Sequence, residues 1–74
     1  MGQHAPRVSG DDFIAALLRA GFVRLRQEGS HVRLRGPKGE LVTIMRTTKT
    51  LKPRTLASAL RQAGWSVDDL RAHL

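Results

Sequence analysis

A chain of 74 residues with a net charge of +7 holds one domain and buries only about 60% of its unfolded surface, so an active site should lie on an open face or in a shallow groove. The absence of cysteine excludes disulfides, cysteine-held zinc and thiol nucleophiles. No apolar run approaches the roughly 20 residues of a bilayer span, and the opening MGQHAPRVSG lacks the apolar stretch of a signal peptide, so the expected setting is soluble, cytoplasmic and without a membrane partner.

Residues 1–8 mix polar side chains with Pro6 and show no period; a flexible arm is expected there, ahead of a single domain over 9–74. Ser9-Gly10-Asp11-Asp12 has the form of a capping box at a helix start, with acidic residues where the helix dipole favours them. Ile14, Leu17 and Leu18 follow at helical spacing, with Phe13 on the flank, and Gly21 suits the left-handed residue after a last turn.

From Phe22 to Met45 the apolar period becomes two. Val23 and Leu25 alternate with Arg24 and Arg26, and Gln27-Glu28-Gly29-Ser30 reads as a turn. Val32 and Leu34 alternate with His31, Arg33 and Arg35. A second turn, Gly36-Pro37-Lys38-Gly39, has proline and glycine at its sharp points. Val42 and Ile44 then alternate with Leu41, Thr43 and Met45. The pattern predicts a three-stranded antiparallel meander with one apolar face. Phe22 falls on the arginine parity and is assigned to the connection before the first strand.

A polar loop over 46–52 leads to Pro53, a residue suited to the first turn of a helix. Leu56, Ala59, Leu60 and Ala63 form the apolar stripe of that helix, and Gly64 ends it. Ser66-Val67-Asp68-Asp69 repeats the capping pattern before a short last helix with Val67 and Leu70. Trp65 is expected as a lid on the core. The predicted class is α+β, in the order α-β-β-β-α with a short extra C-terminal helix.

A sheet with one apolar face needs a cover, and the helices are the apolar surfaces available. They should pack on Val32, Leu34, Val42 and Ile44. That leaves Arg24, Arg26, His31, Arg33, Arg35 and Thr43 on an open face.

The charge is concentrated in the same region. Residues 24–54 hold nine bases (Arg24, Arg26, Arg33, Arg35, Lys38, Arg46, Lys49, Lys52 and Arg54) and two acids, Glu28 and Glu40, a difference equal to the whole net charge of +7. A basic middle on a small domain points to a polyanion partner, nucleic acid first and an acidic protein second. The loop Thr47-Thr48-Lys49-Thr50 and the run Lys52-Pro53-Arg54 place hydroxyls and cations at a helix start, a setting that binds phosphate oxygens.

Of the three histidines, His4 and His73 have no neighbours that suggest a site. His31 follows Gly29-Ser30 and shares its predicted face with arginines. A neutral imidazole beside phosphate-binding arginines suits a general base on the 2′-hydroxyl of RNA, with Arg33 or Arg35 on the charge that develops at the phosphoryl oxygens. Glu28 and Glu40 sit at predicted turns with nothing to pair them. No paired histidines stand at metal-ligand spacing, so neither a metal nor another cofactor is expected.

Gly21-Phe22, Arg26, Gly29-Ser30-His31, the Gly/Pro turn, Val42-Thr43-Ile44, Leu51-Lys52-Pro53, Thr55-Leu56 and Leu60-Arg61-Gln62-Ala63-Gly64, spread over Val8 to Leu70, resemble the HicA toxin family. The resemblance implies a fold like that of double-stranded-RNA-binding domains. It also implies an mRNA-cleaving toxin neutralised by a HicB antitoxin, with His31 as catalytic histidine. Many members carry a second histidine in a Val-Pro-x-His pattern after the third strand; here that stretch is Ile44-Met45-Arg46-Thr47, leaving Arg46 or Lys49 as substitutes. Many also carry His-His after the serine, where this chain has His31-Val32. The alternative reading is a basic RNA-binding module that does not cut.

Overall fold

The computed structural model describes residues 6–74; the first five residues of the expected arm, His4 among them, lie outside the described residues. The elements are α1 (Gly10–Arg19), β1 (Val23–Glu28), β2 (His31–Arg35), β3 (Leu41–Met45), α2 (Pro53–Ala63) and α3 (Val67–His73). The sheet is antiparallel in the order β1-β2-β3. This is the predicted α+β arrangement, like that of double-stranded-RNA-binding domains, with the extra last helix.

Both predicted capping boxes form. Ser9 Oγ accepts from the Asp12 N–H at 3.0 Å while Asp12 Oδ2 accepts from the Ser9 N–H at 3.1 Å. Ser66 and Asp69 make the same exchange at α3, at 3.1 and 2.8 Å. Hydrogen bonds from the Ser66 backbone and hydroxyl hold the Asp69 carboxyl below the usual carboxylate range, because they favour its charged form. α1 begins against the end of β3: the Gly10 N–H donates to the Thr48 carbonyl at 2.8 Å, and a Cβ on Gly10 would collide with the Met45 carbonyl oxygen.

The helices cover one face of the sheet, where Val32, Leu34 and Val42 are 0% exposed and Ile44 is 3% exposed. Phe13, Leu17, Leu56, Ala59, Leu60, Ala63 and Leu70 complete this core. Phe22 precedes β1 as predicted, and its ring is buried, edge-on to Trp65 at 5.8 Å. Trp65 also meets Phe13 at 6.0 Å and stacks on His73 at 5.1 Å, so it is a lid on the core.

Four features depart from the sequence reading. Val8, expected in the arm, is buried, and its carbonyl accepts the Leu51 N–H at 2.8 Å. The first turn is shorter than predicted: β1 runs on to Glu28, and Gly29-Ser30 alone connect it to β2. Gly29 takes the positive φ (58°) that the first position of a II′ hairpin turn requires.

The third departure is in β1. Val23 and Leu25, expected on the apolar face, are 55% and 50% exposed. Val23 pairs with Arg35 and so lies on the open face, and Leu25 has no partner on β2, while the helices pack chiefly over β3 and against each other. The fourth concerns Arg24. Arg24 pairs with Leu34 and Arg26 with Arg33, which leaves Leu25 as an extra residue in a bulge. One extra residue reverses the alternation. Arg24 therefore lies on the helix-side parity, opposite Leu34, and not beside His31 as expected.

The two edges of the sheet differ. The backbone N–H of Thr43 in β3 donates to Gln62 Oε1 of α2 at 3.1 Å, and Gln62 Nε2 donates to Ser58 Oγ at 3.2 Å. Among the described residues, no such hydrogen bond from a helix side chain covers β1, whose six residues are all exposed.

Candidate active site on the open sheet face

The register sets out nine side chains on the open face in three rows. The first row is Val23, Arg35 and Leu41; the second is Arg26, Arg33 and Thr43; the third is Glu28, His31 and Met45. Each strand supplies one member of every row, because directly paired residues share a face. All nine are exposed.

A shallow groove of about 110 Å³ lies across the second and third rows, lined by Arg26, Glu28, His31, Arg33 and Thr43. His31 opens β2 immediately after the tight turn, which sets it directly opposite Glu28. Arg26 and Arg33 also face each other. Like charges so placed repel, and Arg26 answers this by bonding its own strand neighbour Glu28, Nη2 to Oε2 at 3.1 Å. The Arg33 side chain makes no ion pair or hydrogen bond with the described residues, so its guanidinium can take a phosphate in fork geometry.

The remaining predicted site residues divide into three groups. Arg35 shares the face but stands in the first row, away from the groove. Arg46 comes to the His31 end of the sheet: its backbone N–H donates to the Ser30 carbonyl at 2.8 Å, and its side chain reaches Asp11 at 3.8 Å. Lys49 lies on the following loop, while Lys52 caps α2 and Arg54 sits in its first turn; none of these three lines the groove. Arg24 is on the opposite parity. Among the described residues, no cluster of three or more histidines or carboxylates is placed to hold a metal ion.

This constellation of a histidine, a carboxylate and two guanidiniums on an exposed sheet suits contact with a phosphodiester. A family model described as "HicA toxin of bacterial toxin-antitoxin" matches residues 10–65 of the 74. The chain belongs to the HicA toxin family. A search of curated proteins finds no match. As a HicA toxin, this protein is the toxic member of a toxin–antitoxin pair and has an antitoxin as partner. None of its described helices is long and apolar enough to cross a membrane.

The matched segment contains every groove residue and ends at Trp65. The other described histidine, His73, stacks on Trp65 and hydrogen-bonds the Asp69 carbonyl through Nδ1 at 2.8 Å, so it belongs to the lid and not to the groove. Sequence reading passed over Glu28 as a turn residue. The signal was available: with Gly29-Ser30 as a two-residue hairpin turn, residues 28 and 31 must pair.

Proposed function

We propose that this HicA toxin is an endoribonuclease that cleaves mRNA, with His31 as the catalytic histidine. The observation that carries the reading is the groove, in which the His31 imidazole stands among Arg26, Arg33 and Thr43. His31 moves a proton at the scissile phosphodiester, the 2′-hydroxyl oxygen attacks the adjacent phosphorus, and Arg33 neutralises charge on the phosphoryl oxygens. Arg26 and Arg35 extend the cationic face, and Arg46, Lys49, Lys52 and Arg54 continue it along the loop into α2, where they hold the flanking backbone. Arg24 retains at most a backbone contact from the edge. No metal takes part in the proposed step. The antitoxin is of the HicB type, an acidic protein that covers the His31 face, where complementary charge speeds the encounter.

The test compares wild type with His31→Ala on one labelled RNA, measuring binding beside cleavage. Cleavage should fall by about 10²–10⁴, with most RNA affinity retained because several cations share the phosphate contacts. The products should carry 2′,3′-cyclic phosphates, cleavage should survive EDTA, and a 2′-deoxy substitution at the scissile nucleotide should block the cut. Equal cleavage by both proteins would remove His31 from the chemistry. Binding without cleavage by the wild type would identify a non-catalytic RNA-binding module, a reading supported by Thr47 in place of a second histidine.

A further inference from the structure

Cleavage by 2′-hydroxyl attack needs two proton transfers. One group takes the proton from O2′, and another gives a proton to the departing O5′. Among the described residues, His31 is the one histidine in the groove, and Arg26 and Arg33 are too basic to release a proton. Glu28 is the remaining titratable group lining it.

We propose that Glu28 is the second catalytic residue of this site, acting as general base, and that His31 in its imidazolium form is the general acid. The proposal rests on the endoribonuclease reading above and makes His31 the acid, where the sequence alone suggested the base. Three observations carry it. Glu28 and His31 are direct cross-strand partners on one face, so their side chains start about 5 Å apart and can stand on either side of a phosphoryl group. The two-residue turn fixes that pairing. The ion pair with Arg26 at 3.1 Å holds the carboxylate over the groove and leaves it a second oxygen to accept a proton.

The step balances without any further reactant. The O2′ proton passes to the Glu28 carboxylate as O2′ bonds to phosphorus. The P–O5′ bond breaks with its electron pair on O5′, which takes a proton from the His31 ring. The products are a 2′,3′-cyclic phosphate and a 5′-hydroxyl. Glu28 is left protonated and His31 neutral, and exchange with solvent resets both. The charged or titratable groups that face Glu28 are Arg26 on its own strand and His31 and Arg33 on β2; β3 contributes the uncharged Thr43 and Met45.

The experiment uses the full chain with two RNAs of one sequence. One has the natural phosphodiester; the other has sulfur in place of the bridging O5′ at the scissile position, because a thiolate leaves without help from an acid. On the natural RNA, Glu28→Gln and His31→Ala should each lose about 10²–10⁴-fold in cleavage, with RNA binding kept and Trp65 fluorescence native. On the thio-RNA, His31→Ala should recover most of the wild-type rate and Glu28→Gln should not. Glu28→Asp should keep part of the activity, since it retains the carboxylate. Wild-type cleavage by Glu28→Gln on the natural RNA overturns the proposal and leaves the endoribonuclease reading standing. Rescue of Glu28→Gln in place of His31→Ala reverses the two roles and also overturns it. A wild type that cuts neither RNA overturns both readings together.

Discussion

The two faces of one small sheet follow opposite rules. On the helix side, Val32, Leu34, Val42 and Ile44 are buried, and each touches core neighbours whose packing it sustains. On the open side, His31, Arg33, Arg35 and Thr43 alternate with them along the same strands and are exposed. Strand periodicity lets adjacent residues serve different ends: one parity makes the fold, the other carries the proposed site. In a domain this thin there is no interior to spare for a pocket, so the site has to be built on the uncovered face. Stability and activity should therefore come apart residue by residue.

The largest expected separation is between Leu34 and His31. Leu34→Ala removes a fully buried side chain and should cost about 2–5 kcal/mol, a large share of the roughly 5–15 kcal/mol that holds a domain together. His31→Ala should stay within about 0.5 kcal/mol of wild type. Urea unfolding followed by Trp65 fluorescence measures both, and similar losses would break the division between faces. The next effect concerns salt. Arg33→Ala should flatten the dependence of log affinity on log salt by about 0.7, the share of one single-strand phosphate. Arg24→Ala, across the bulge on the other parity, should leave the slope near wild type. Equal flattening would mean that RNA wraps around the β1 edge.

The smallest effect belongs to the helix side. The Asp69 carboxyl is held below its ordinary range by Ser66. A carboxyl lowered on folding adds stability above its unfolded value and loses it as pH falls through the folded one. Stability should thus decline at acid pH by a component that Asp69→Asn removes, measured as urea midpoints across the carboxylate range. The component is small because the carboxyl is solvent-exposed. An Asp69→Asn protein with the wild-type acid profile would show that the cap adds nothing through its charge.

The parts of the molecule that rest on periodicity were legible in the sequence. Both capping boxes, the strands with Val32, Leu34, Val42 and Ile44, and the Leu56-Ala59-Leu60-Ala63 stripe form as the pattern predicts. What a pattern cannot register is a single unpaired residue. Arg24 and Arg26 read as one face, and only the pairing with β2 shows Leu25 standing out between them. The same residue decides burial in this strand: Val23 and Leu25 are apolar at the right spacing, but the bulge turns Val23 to the open face beside Arg35 and leaves Leu25 without a partner. Val8 was hidden for the converse reason, a lone apolar residue in a polar stretch that finds its contact across the chain at Leu51. In the site, His31 and its arginines were readable from alternation, while Glu28 depended on the length of one turn.

The hydrogen bond from Thr43 to Gln62 closes one border of the sheet and leaves the β1 border available. A sheet with two free borders can accept a strand on each side and grow into a fibre. Here the Thr43 N–H on the β3 border is already taken, so among the described residues β1 offers the less obstructed border to a second strand. The Gln62 amide thereby competes with any incoming strand for the Thr43 N–H.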